Sequence, residues 1–322
     1  MKEDLISVIM SVYNEEVAWL KESIESILNQ TYQNIEFIII VDNPQNNALI
    51  DIIEDYSKKD IRIKFYINSE NKGLIYSLNR AIDYCSGKYI ARMDADDISH
   101  LNRFEKQLNY LIKNDLDLIG SNINLFKNQR DFFYTTNKLI THKYLKKMLS
   151  KGTIGIVHPT FFGKQEIFKK LKYNYSLHTE DKEFLARVFC NNYNVGNIRD
   201  TLLDCRYSNN SITKENAIYV NKIGRYVTKV FNNCLNTKGY IFDENYHKTL
   251  VISQAEIKNF SNKQKMMGMA RESLNQRNYV HFAKNIFIAI YYSRSVFMSI
   301  KINLIFKLFK LLENIEIKGK VK

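Results

Sequence analysis

Residues 88–97 read KYIARMDADD, a short apolar strand pattern that runs directly into three carboxylates. Lys88 to Met93 has the length and apolar content of a strand buried in a sheet. Asp94, Asp96 and Asp97 follow it without a linker. Because ligands of open α/β sheets bind at the carboxyl ends of the strands, this stretch indicates both the fold and the position of a site.

On the amino-terminal side of this stretch, strand and helix patterns alternate along the chain. Short apolar or alternating runs predict strands, whereas apolar residues recurring at three and four predict helices. The predicted strands cover residues 5–12, 35–41, 61–67 and 88–93, and the predicted helices cover 16–30, 47–57 and 74–84. Such alternation implies βαβ units with right-handed crossovers, so we predict an α/β fold with a mostly parallel sheet.

Beyond residue 120 the pattern is less regular, and helical spacing dominates from about residue 216. Three helices are predicted before that point, over residues 142–150, 164–171 and 179–190. Thr179 is placed to cap the last of them, with acidic residues in the first turn. We predict three units: a catalytic domain over 1–215, a helical subdomain over 216–296 and a basic amphipathic tail over 297–322.

Charge is distributed unevenly along the chain, whose net charge is +13. Residues 1–100 carry 10 basic and 17 acidic side chains, whereas residues 261–322 carry 12 basic and 3 acidic ones. A nucleic-acid-binding domain is expected to be basic over its whole binding face, so we predict no nucleic-acid partner. The 45% hydrophobic and 25% charged residues are ordinary for a globular protein.

The four cysteines are spread over the chain without a CxxC pair, at positions 85, 190, 205 and 234. This spacing predicts neither a zinc site nor a disulfide framework, and we interpret all four as packed thiols. The amino terminus lacks a basic segment leading into an apolar stretch of signal-peptide length. We therefore expect a cytoplasmic protein.

Polar side chains follow each of the four predicted strands. They are Tyr13-Asn14-Glu15-Glu16, Asp42-Asn43, Asn68 to Lys72 and Asp94-Ala95-Asp96-Asp97. Converging carboxylates raise one another's pKa unless a cation compensates them. Mn²⁺ or Mg²⁺ would do so while sharing its ligand shell with phosphate oxygens, which predicts a nucleoside diphosphate ligand. The alternative for Asp97 is that it merely caps the next helix.

Taken together, these segments resemble family-2 glycosyltransferases of the GT-A fold. The matching segments are SVIMSVYNE at 7–15, SILNQTY at 26–32, Asp42-Asn43, NKG at 71–73, GKYIARMDADD at 87–97 and Thr179-Glu180-Asp181. The resemblance implies a Rossmann-like sheet flanked by helices, with a helical carboxy-terminal region. It also implies inverting sugar transfer from a nucleotide sugar.

The resemblance implies a nucleotide pocket built from residues of three strand ends. Asp42 matches the carboxylate that accepts a hydrogen bond from the nucleobase. Ser11, Tyr13 and Glu15 lie where the family lines the base and ribose pocket. Lys72 lies in the loop that closes this pocket.

The resemblance also implies the roles of the remaining acids. Asp94 matches the first acid of the Asp-x-Asp motif, near the ribose and the metal waters, and Asp96 matches the metal ligand. Asp181 matches the catalytic base. Glu180 is interpreted as a support that holds Asp181 in place or as a first-turn helix acid, and His158 as a hydrogen-bonded residue that orients a turn or as an acceptor contact. Many family members carry a His where Ser208 stands, and the sequence does not identify a third protein ligand for the metal.

The tail, FMSIKINLIFKLFKLLENIEIKGKVK at 297–322, combines lysines with large apolar side chains. Arg294, Lys301, Lys307 and Lys310 interrupt the apolar run before it reaches the length of a membrane span. The composition is typical of an interfacial helix attracted to anionic lipid, and packing on the protein is the alternative. We expect peripheral association with the inner face of the cell membrane.

The sequence thus predicts an inverting, metal-dependent transferase that uses a nucleotide sugar, with UDP as the favoured nucleotide. The predicted acceptor is a glycan or lipid-linked sugar in bacterial surface-polysaccharide assembly. A nucleotidyltransferase is one alternative, although it would need a glycine-rich basic loop where Tyr13-Asn14-Glu15-Glu16 stands. A non-catalytic nucleotide-binding or scaffold protein of the same fold is the other. The sequence carries no signal for the oligomeric state.

Overall fold

The structure is a computed structural model, and it describes residues 3–127, 130–176, 178–207, 216–237 and 239–319 of the 322-residue chain. Ser208, where the family's third metal ligand was sought, lies outside the described residues. The same is true of the end of the predicted tail, residues 320–322.

The described strands form one mixed sheet. They are β1 (Ile6–Val12), β2 (Ile35–Val41), β3 (Ile63–Ile67), β4 (Tyr89–Asp94), β5 (Ile98–Ser99), β6 (Leu118–Phe126), β7 (Phe132–Thr135), β8 (Phe162–Lys164) and β9 (Val195–Arg206). Their order is β3-β2-β1-β4-β8-β6-β9-β5, and β7 pairs with β6. The first four strands are parallel, while β8 joins β4 and β6 antiparallel. The predicted α/β fold is confirmed.

The described helices flank this sheet and form the carboxy-terminal region. They are α1 (Val17–Leu28), α2 (Asn47–Lys59), α3 (Leu74–Tyr84), α4 (Arg103–Lys113), α5 (His142–Ser150), α6 (Gln165–Leu171), α7 (Glu180–Cys190), α8 (Ala217–Thr237), α9 (Gln254–Asn275), α10 (Tyr279–Tyr292) and α11 (Arg294–Gly319). Local chemistry fixes several ends. Asn46 caps α2 through the Leu49 amide at 3.3 Å, and Ser253 with Glu256 forms a capping box on α9.

Both faces of the parallel strands are covered, which explains their continuous apolar sequences. Side chains of β2 alternate between two clusters of buried residues: Phe37 and Ile39 face α1 and α2, and Ile38 and Ile40 face α3. Seven consecutive residues of β2 are buried in this way. The strand ends are therefore held in a rigid layer, which positions the polar residues that follow them.

The last described helix, α11, packs one face through Ile302, Ile305, Phe306 and Phe309 against the buried cluster that covers the α3 face of the sheet. Glu313 is fully buried, and its Oε1 accepts hydrogen bonds from the Ile140 and Thr141 amides at 2.9 and 2.8 Å. A carboxylate at the amino end of α5 is favourable because it satisfies free amides and opposes the helix dipole. Among the described helices, none is apolar over a length that would cross a bilayer.

The prediction that all four cysteines are packed thiols is wrong for one pair. Packing of α7 against α8 brings Cys190 and Cys234 together, and the structure joins them in a disulfide across 44 residues of sequence. Their Cα atoms are 6.4 Å apart. Cys85 and Cys205 are free and buried, as predicted.

Candidate active site

The carboxyl ends of β1, β2 and β4 lie side by side, because these strands are parallel and in register. Ser11 is opposite Asp94 across the β1–β4 pair, and Asp42 directly follows β2. The structure therefore brings the predicted nucleotide-binding residues Ser11 and Asp42 to the same edge as Asp94.

Asp42 is buried and organises the loop after β3. Its Oδ1 accepts hydrogen bonds from the Asn68 side-chain amide at 2.6 Å and the Lys72 amide at 2.9 Å, and its Oδ2 accepts one from the Gly73 amide at 2.8 Å. Gly73 has a φ of +85°, which favours glycine at this turn. A carboxylate has about four acceptor positions, so Oδ2 can accept one more hydrogen bond.

The other predicted nucleotide-binding side chains differ in exposure. Tyr13 is 43% exposed, whereas Glu15 is half-buried and accepts a hydrogen bond from the Tyr13 amide at 2.8 Å. Burial raises the pKa of Glu15, and the nearby charge of Asp94 adds to the rise. Lys72 is exposed in the loop held by Asp42, and its ammonium group pairs with Glu70.

Asp94, Asp96 and Asp97 form a compact acidic cluster, with one carboxylate oxygen of each within 4.8 Å of the others. The alternative that Asp97 caps the next helix is wrong, because β5 follows it and α4 starts only at Arg103. Asp97 is buried and accepts a hydrogen bond from the Arg206 amide at 3.0 Å. Asp97 thus ties the end of β9 to the cluster.

The electrostatics of this cluster favour a bound cation. Burial raises the pKa of Asp96 to about 7, and the charges of Asp94 and Glu15 contribute to the shift. Burial and the charges of Asp96 and Asp94 raise the pKa of Asp97 well above its usual range. A divalent cation prefers such oxygen ligands and would compensate their repulsion. The donor set therefore fits Mn²⁺ or Mg²⁺.

Arg92 is the residue of this site that the sequence analysis did not identify. It is 3% exposed on β4, and both of its terminal nitrogens pair with the Asp94 carboxylate, one of them at 2.8 Å. Its charge also lowers the pKa of Glu180 and Asp181, although burial outweighs it there. The positive charge of Arg92 therefore acts both on Asp94 of the acidic cluster and on the pair Glu180 and Asp181.

Glu180 and Asp181 form that pair at the start of α7. Burial, reinforced by Asp181, raises the pKa of Glu180 to about 7, and burial also raises the pKa of Asp181. Asp181 Oδ1 accepts a hydrogen bond from the Lys182 amide at 2.6 Å, which orients the carboxylate. A carboxylate whose pKa is shifted toward neutrality is suited to general-base catalysis.

His158 lies beneath this pair. It is 8% exposed, its Nε2 is 3.0 Å from the Tyr173 hydroxyl, and its Nδ1 is 3.7 Å from Glu180 Oε1. Burial, with a smaller contribution from Arg92, lowers the pKa of His158 well below its usual range, so the ring is neutral at pH 7. The structure thus places His158 next to Glu180.

The fold and this site together define the class of protein. The family model described as "Glycosyl transferase family 2" matches residues 7–172. Since this match spans half of the chain, the protein belongs to glycosyltransferase family 2. Family membership favours sugar transfer over the nucleotidyltransferase alternative.

Individual relatives agree with this class. An uncharacterised glycosyltransferase of Methanocaldococcus jannaschii is 41% identical over 218 residues, which is 65% of this chain and 73% of the relative. The O-antigen biosynthesis glycosyltransferase WbnJ of Escherichia coli is 35% identical over 219 residues, which is 67% of this chain and 85% of WbnJ. The name of the second relative assigns that protein to O-antigen biosynthesis.

The fold also matches a solved structure. A crystal structure of S. aureus TarS in complex with UDP-GlcNAc superposes with a TM-score of 0.57, covering 89% of this chain and 81% of that chain. Sequence identity is 14%, so the likeness concerns the fold. It confirms the GT-A-type architecture expected from the motifs.

Proposed function

We propose that this protein is an inverting glycosyltransferase that moves a sugar from a UDP-sugar to a glycan or lipid-linked acceptor. The observation that carries the proposal is the pairing of two acid groups around one buried arginine. Asp94 and Asp96 belong to the acidic cluster, Glu180 and Asp181 begin α7, and Arg92 influences both. One group suits the leaving diphosphate and the other suits the acceptor hydroxyl.

The acidic cluster would hold Mn²⁺ or Mg²⁺, with Asp96 as the ligand and Asp94 near the ribose. When bound, the cation neutralises the charge that develops on the departing nucleoside diphosphate. Arg92 holds the Asp94 carboxylate in place through its two-nitrogen contact. Asp42 supports the nucleotide pocket by fixing the loop after β3, and the free acceptor position on its Oδ2 can meet the nucleobase.

Asp181 acts as the base in the proposed reaction. It removes the proton from an acceptor hydroxyl while that oxygen bonds to the anomeric carbon. The bond between the anomeric carbon and the diphosphate breaks as the new bond forms, and the leaving group departs with its electron pair. Because attack and departure occur on opposite faces, the anomeric configuration is inverted without an enzyme nucleophile.

The face of α11 that does not pack against the rest of the protein supports a membrane location for the acceptor. Apolar side chains that are 38–63% exposed form a stripe along it, called here the α11 stripe: Phe297, Ile300, Leu304, Leu308, Leu311 and Ile315. Lys301 and Lys307 are exposed beside it. An apolar face bordered by lysines complements an anionic lipid surface. We include peripheral membrane attachment through this stripe in the proposal.

Vesicle flotation tests the attachment. Vesicles of phosphatidylglycerol and phosphatidylcholine should carry the wild-type protein, and Leu304→Glu/Leu308→Glu should stay in solution. Ile241→Glu is the matched control, because Ile241 is apolar and 86% exposed but lies outside the stripe. Equal flotation of all three proteins would contradict attachment through α11.

Donor turnover tests the transferase proposal itself. The purified protein is incubated with a panel of nucleotide sugars and Mn²⁺ without acceptor, and released nucleoside diphosphate is measured. We expect slow hydrolysis of one UDP-sugar that disappears in Asp96→Ala. The proposal would be abandoned if no donor is bound or turned over, or if Asp96→Ala equals the wild type.

A further inference from the structure

A large cavity includes Asp181 among its lining residues. Its volume is about 1240 Å³, above the roughly 300–1,000 Å³ of common small-molecule sites. Segments of three regions line it: the chain around α5, the start of α7 with α8, and the first half of α11. Asp94, Asp96 and Asp97 are not among the lining residues, so the cavity is separate from the expected donor site.

The charge of the cavity wall is strongly positive. Five cationic side chains line it: Lys138, Lys151, Lys182, Arg225 and Lys301. Among the described lining residues, Asp181 is the one acid. A concave surface of one charge sign concentrates ligands of the opposite sign. The wall therefore favours an anionic ligand directly beside the proposed base.

The five cationic side chains differ in whether they already have hydrogen-bond or ion-pair partners in the protein. Lys182 is buried, and its Nζ donates hydrogen bonds to the carbonyls of Gly152 and Gly224 at 2.9 and 2.7 Å, so it mainly ties α7 to its neighbours. Lys138 is half-buried and forms no ion pair within the described residues. Arg225 and Lys301 are exposed and likewise form no described ion pair. Lys151 is also exposed and forms no described ion pair, so four of the five cations remain available to a ligand.

The remaining wall is apolar and comes mainly from α11. Met298, Ile302, Ile305 and Phe306 face the cavity. The α11 stripe lies on the same helix and is exposed. A ligand that carries both an anionic group and a hydrocarbon chain would match the cations of the cavity and the apolar surface that leads out of it.

We propose that this cavity binds the diphosphate of a lipid-linked sugar acceptor, with the sugar at Asp181 and the lipid chain along α11. The inference rests on the proposed function, because it takes Asp181 as the base that receives the acceptor hydroxyl. It narrows the acceptor from glycans in general to sugars joined to a lipid through a diphosphate.

Calorimetry with farnesyl diphosphate as the probe tests this assignment on the full chain. EDTA is present so that the diphosphate does not bind through a metal at the acidic cluster. Arg225→Gln/Lys301→Gln should bind the probe about tenfold more weakly than wild type. Lys229→Gln/Lys284→Gln is the matched control, because it removes two charges from exposed positions of α8 and α10 outside the cavity and the α11 stripe. The control should bind like the wild type.

Two further ligands test the contributions of the diphosphate and of the hydrocarbon chain to the binding of farnesyl diphosphate. Inorganic diphosphate and farnesol should each bind more weakly than farnesyl diphosphate. Equal binding of inorganic diphosphate would overturn the lipid part of the assignment, and equal binding of farnesol would overturn the anionic part. Unchanged affinity in Arg225→Gln/Lys301→Gln, or the same loss in both double variants, would overturn the assignment of the cavity.

Donor hydrolysis by the wild-type protein distinguishes failure of the cavity assignment from failure of the proposed transferase function. If the wild type hydrolyses a UDP-sugar but the probe affinity does not depend on the cavity cations, the cavity assignment fails and the proposed function stands. If the probe binds as expected but no nucleotide sugar is bound or turned over, the proposed function fails and the cavity remains a lipid diphosphate site.

Discussion

The pKa of a buried carboxylate shifts in opposite directions at the two ends of the parallel strands: it falls for Glu36 at the amino end and rises for Asp96 at the carboxyl end. At the amino end, Glu36 is 4% exposed and both of its oxygens accept hydrogen bonds. Ser7 Oγ and the Ser86 amide donate to Oε1 at 2.6 Å, and Lys64 Nζ donates to Oε2 at 2.8 Å. Burial opposes the charge, but these bonds outweigh it and lower the pKa of Glu36 to about 2.

At the carboxyl end, the burial of Asp96 and Glu180 is not offset by comparable hydrogen-bond donors. Burial and neighbouring carboxylates hold the pKa of Asp96 and of Glu180 at about 7. Asp96 forms no ion pair within the described residues, unlike Glu36 with Lys64. The protein itself satisfies the charge of Glu36 at the amino end, whereas at the carboxyl end it leaves the charge of Asp96 to a ligand. A metal ion bound together with a diphosphate would compensate the negative charge that remains at this edge of the sheet.

The largest effect is expected at the base. Asp181→Asn keeps the size of the side chain but cannot accept the acceptor proton, so kcat for transfer should fall by about 10³-fold. The donor KM should stay near the wild-type value, because Asp181 does not contact the nucleotide in the proposed reaction. Steady-state kinetics measures both. Transfer by Asp181→Asn at the wild-type rate would contradict the assignment of Asp181 as the base.

The acidic cluster should show the next largest effect. Asp96→Asn removes the charge of the proposed metal ligand, so kcat/KM for the donor should fall by about 10²-fold, or roughly 3 kcal/mol of transition-state stabilisation. Raising the Mn²⁺ concentration should restore part of the activity. Asp55→Asn, an exposed acid on α2, serves as the control. Equal loss in both variants would point to net charge instead of the site.

The amino end should affect stability and not catalysis. Glu36→Gln removes the charge that Lys64, Ser7 and Ser86 stabilise, so the free energy of unfolding should fall by about 2 kcal/mol at pH 7. The corresponding drop in Tm is about 4–8 °C. The pKa of Glu36 is depressed, so its contribution in the wild type is present above about pH 4.5 and is lost as the pH falls toward about 2. Thermal unfolding and kcat together check this, and a changed kcat with unchanged Tm would break the contrast.

The smallest expected effect is a pH-dependent response to metal. The pKa of Asp96 is raised, so its favourable neutral form stabilises the fold at low pH, and that contribution is lost as the pH rises from about 4 toward about 7. A cation replaces the lost proton, so Mn²⁺ should raise Tm by about 3 °C at pH 8 and by less at pH 5.5. Equal shifts at both pH values would contradict the assignment.

Much of the fold could be predicted because its periodicity is local. The pattern predicts β2 and α3 at the residues where the structure has them, since their apolar spacing is regular. By contrast, β9 mixes polar and apolar residues and pairs with β6 through register shifts, so its burial depends on distant partners. The Cys190–Cys234 pair likewise depends on the packing of two helices and has no sequence signature.

The candidate site was predictable where its residues follow strands. Asp42 and Asp94 lie at strand ends that any parallel sheet would bring together. Arg92 was missed, although a signal existed: an arginine inside an apolar buried strand needs an anionic partner. The role of Arg206 could not be predicted, because its backbone contact with Asp97 spans 109 residues. The cavity cations come from elements far apart in the sequence and meet only in the folded chain.

The measurement that tests the central claim most directly is calorimetric titration of UDP with and without Mn²⁺. The claim is that the carboxyl end of the sheet is completed by a cation and a nucleoside diphosphate. We predict that Mn²⁺ strengthens UDP binding to the wild type about tenfold or more and has little effect on Asp96→Asn. Equal UDP affinity of the wild type with and without Mn²⁺ would contradict the account.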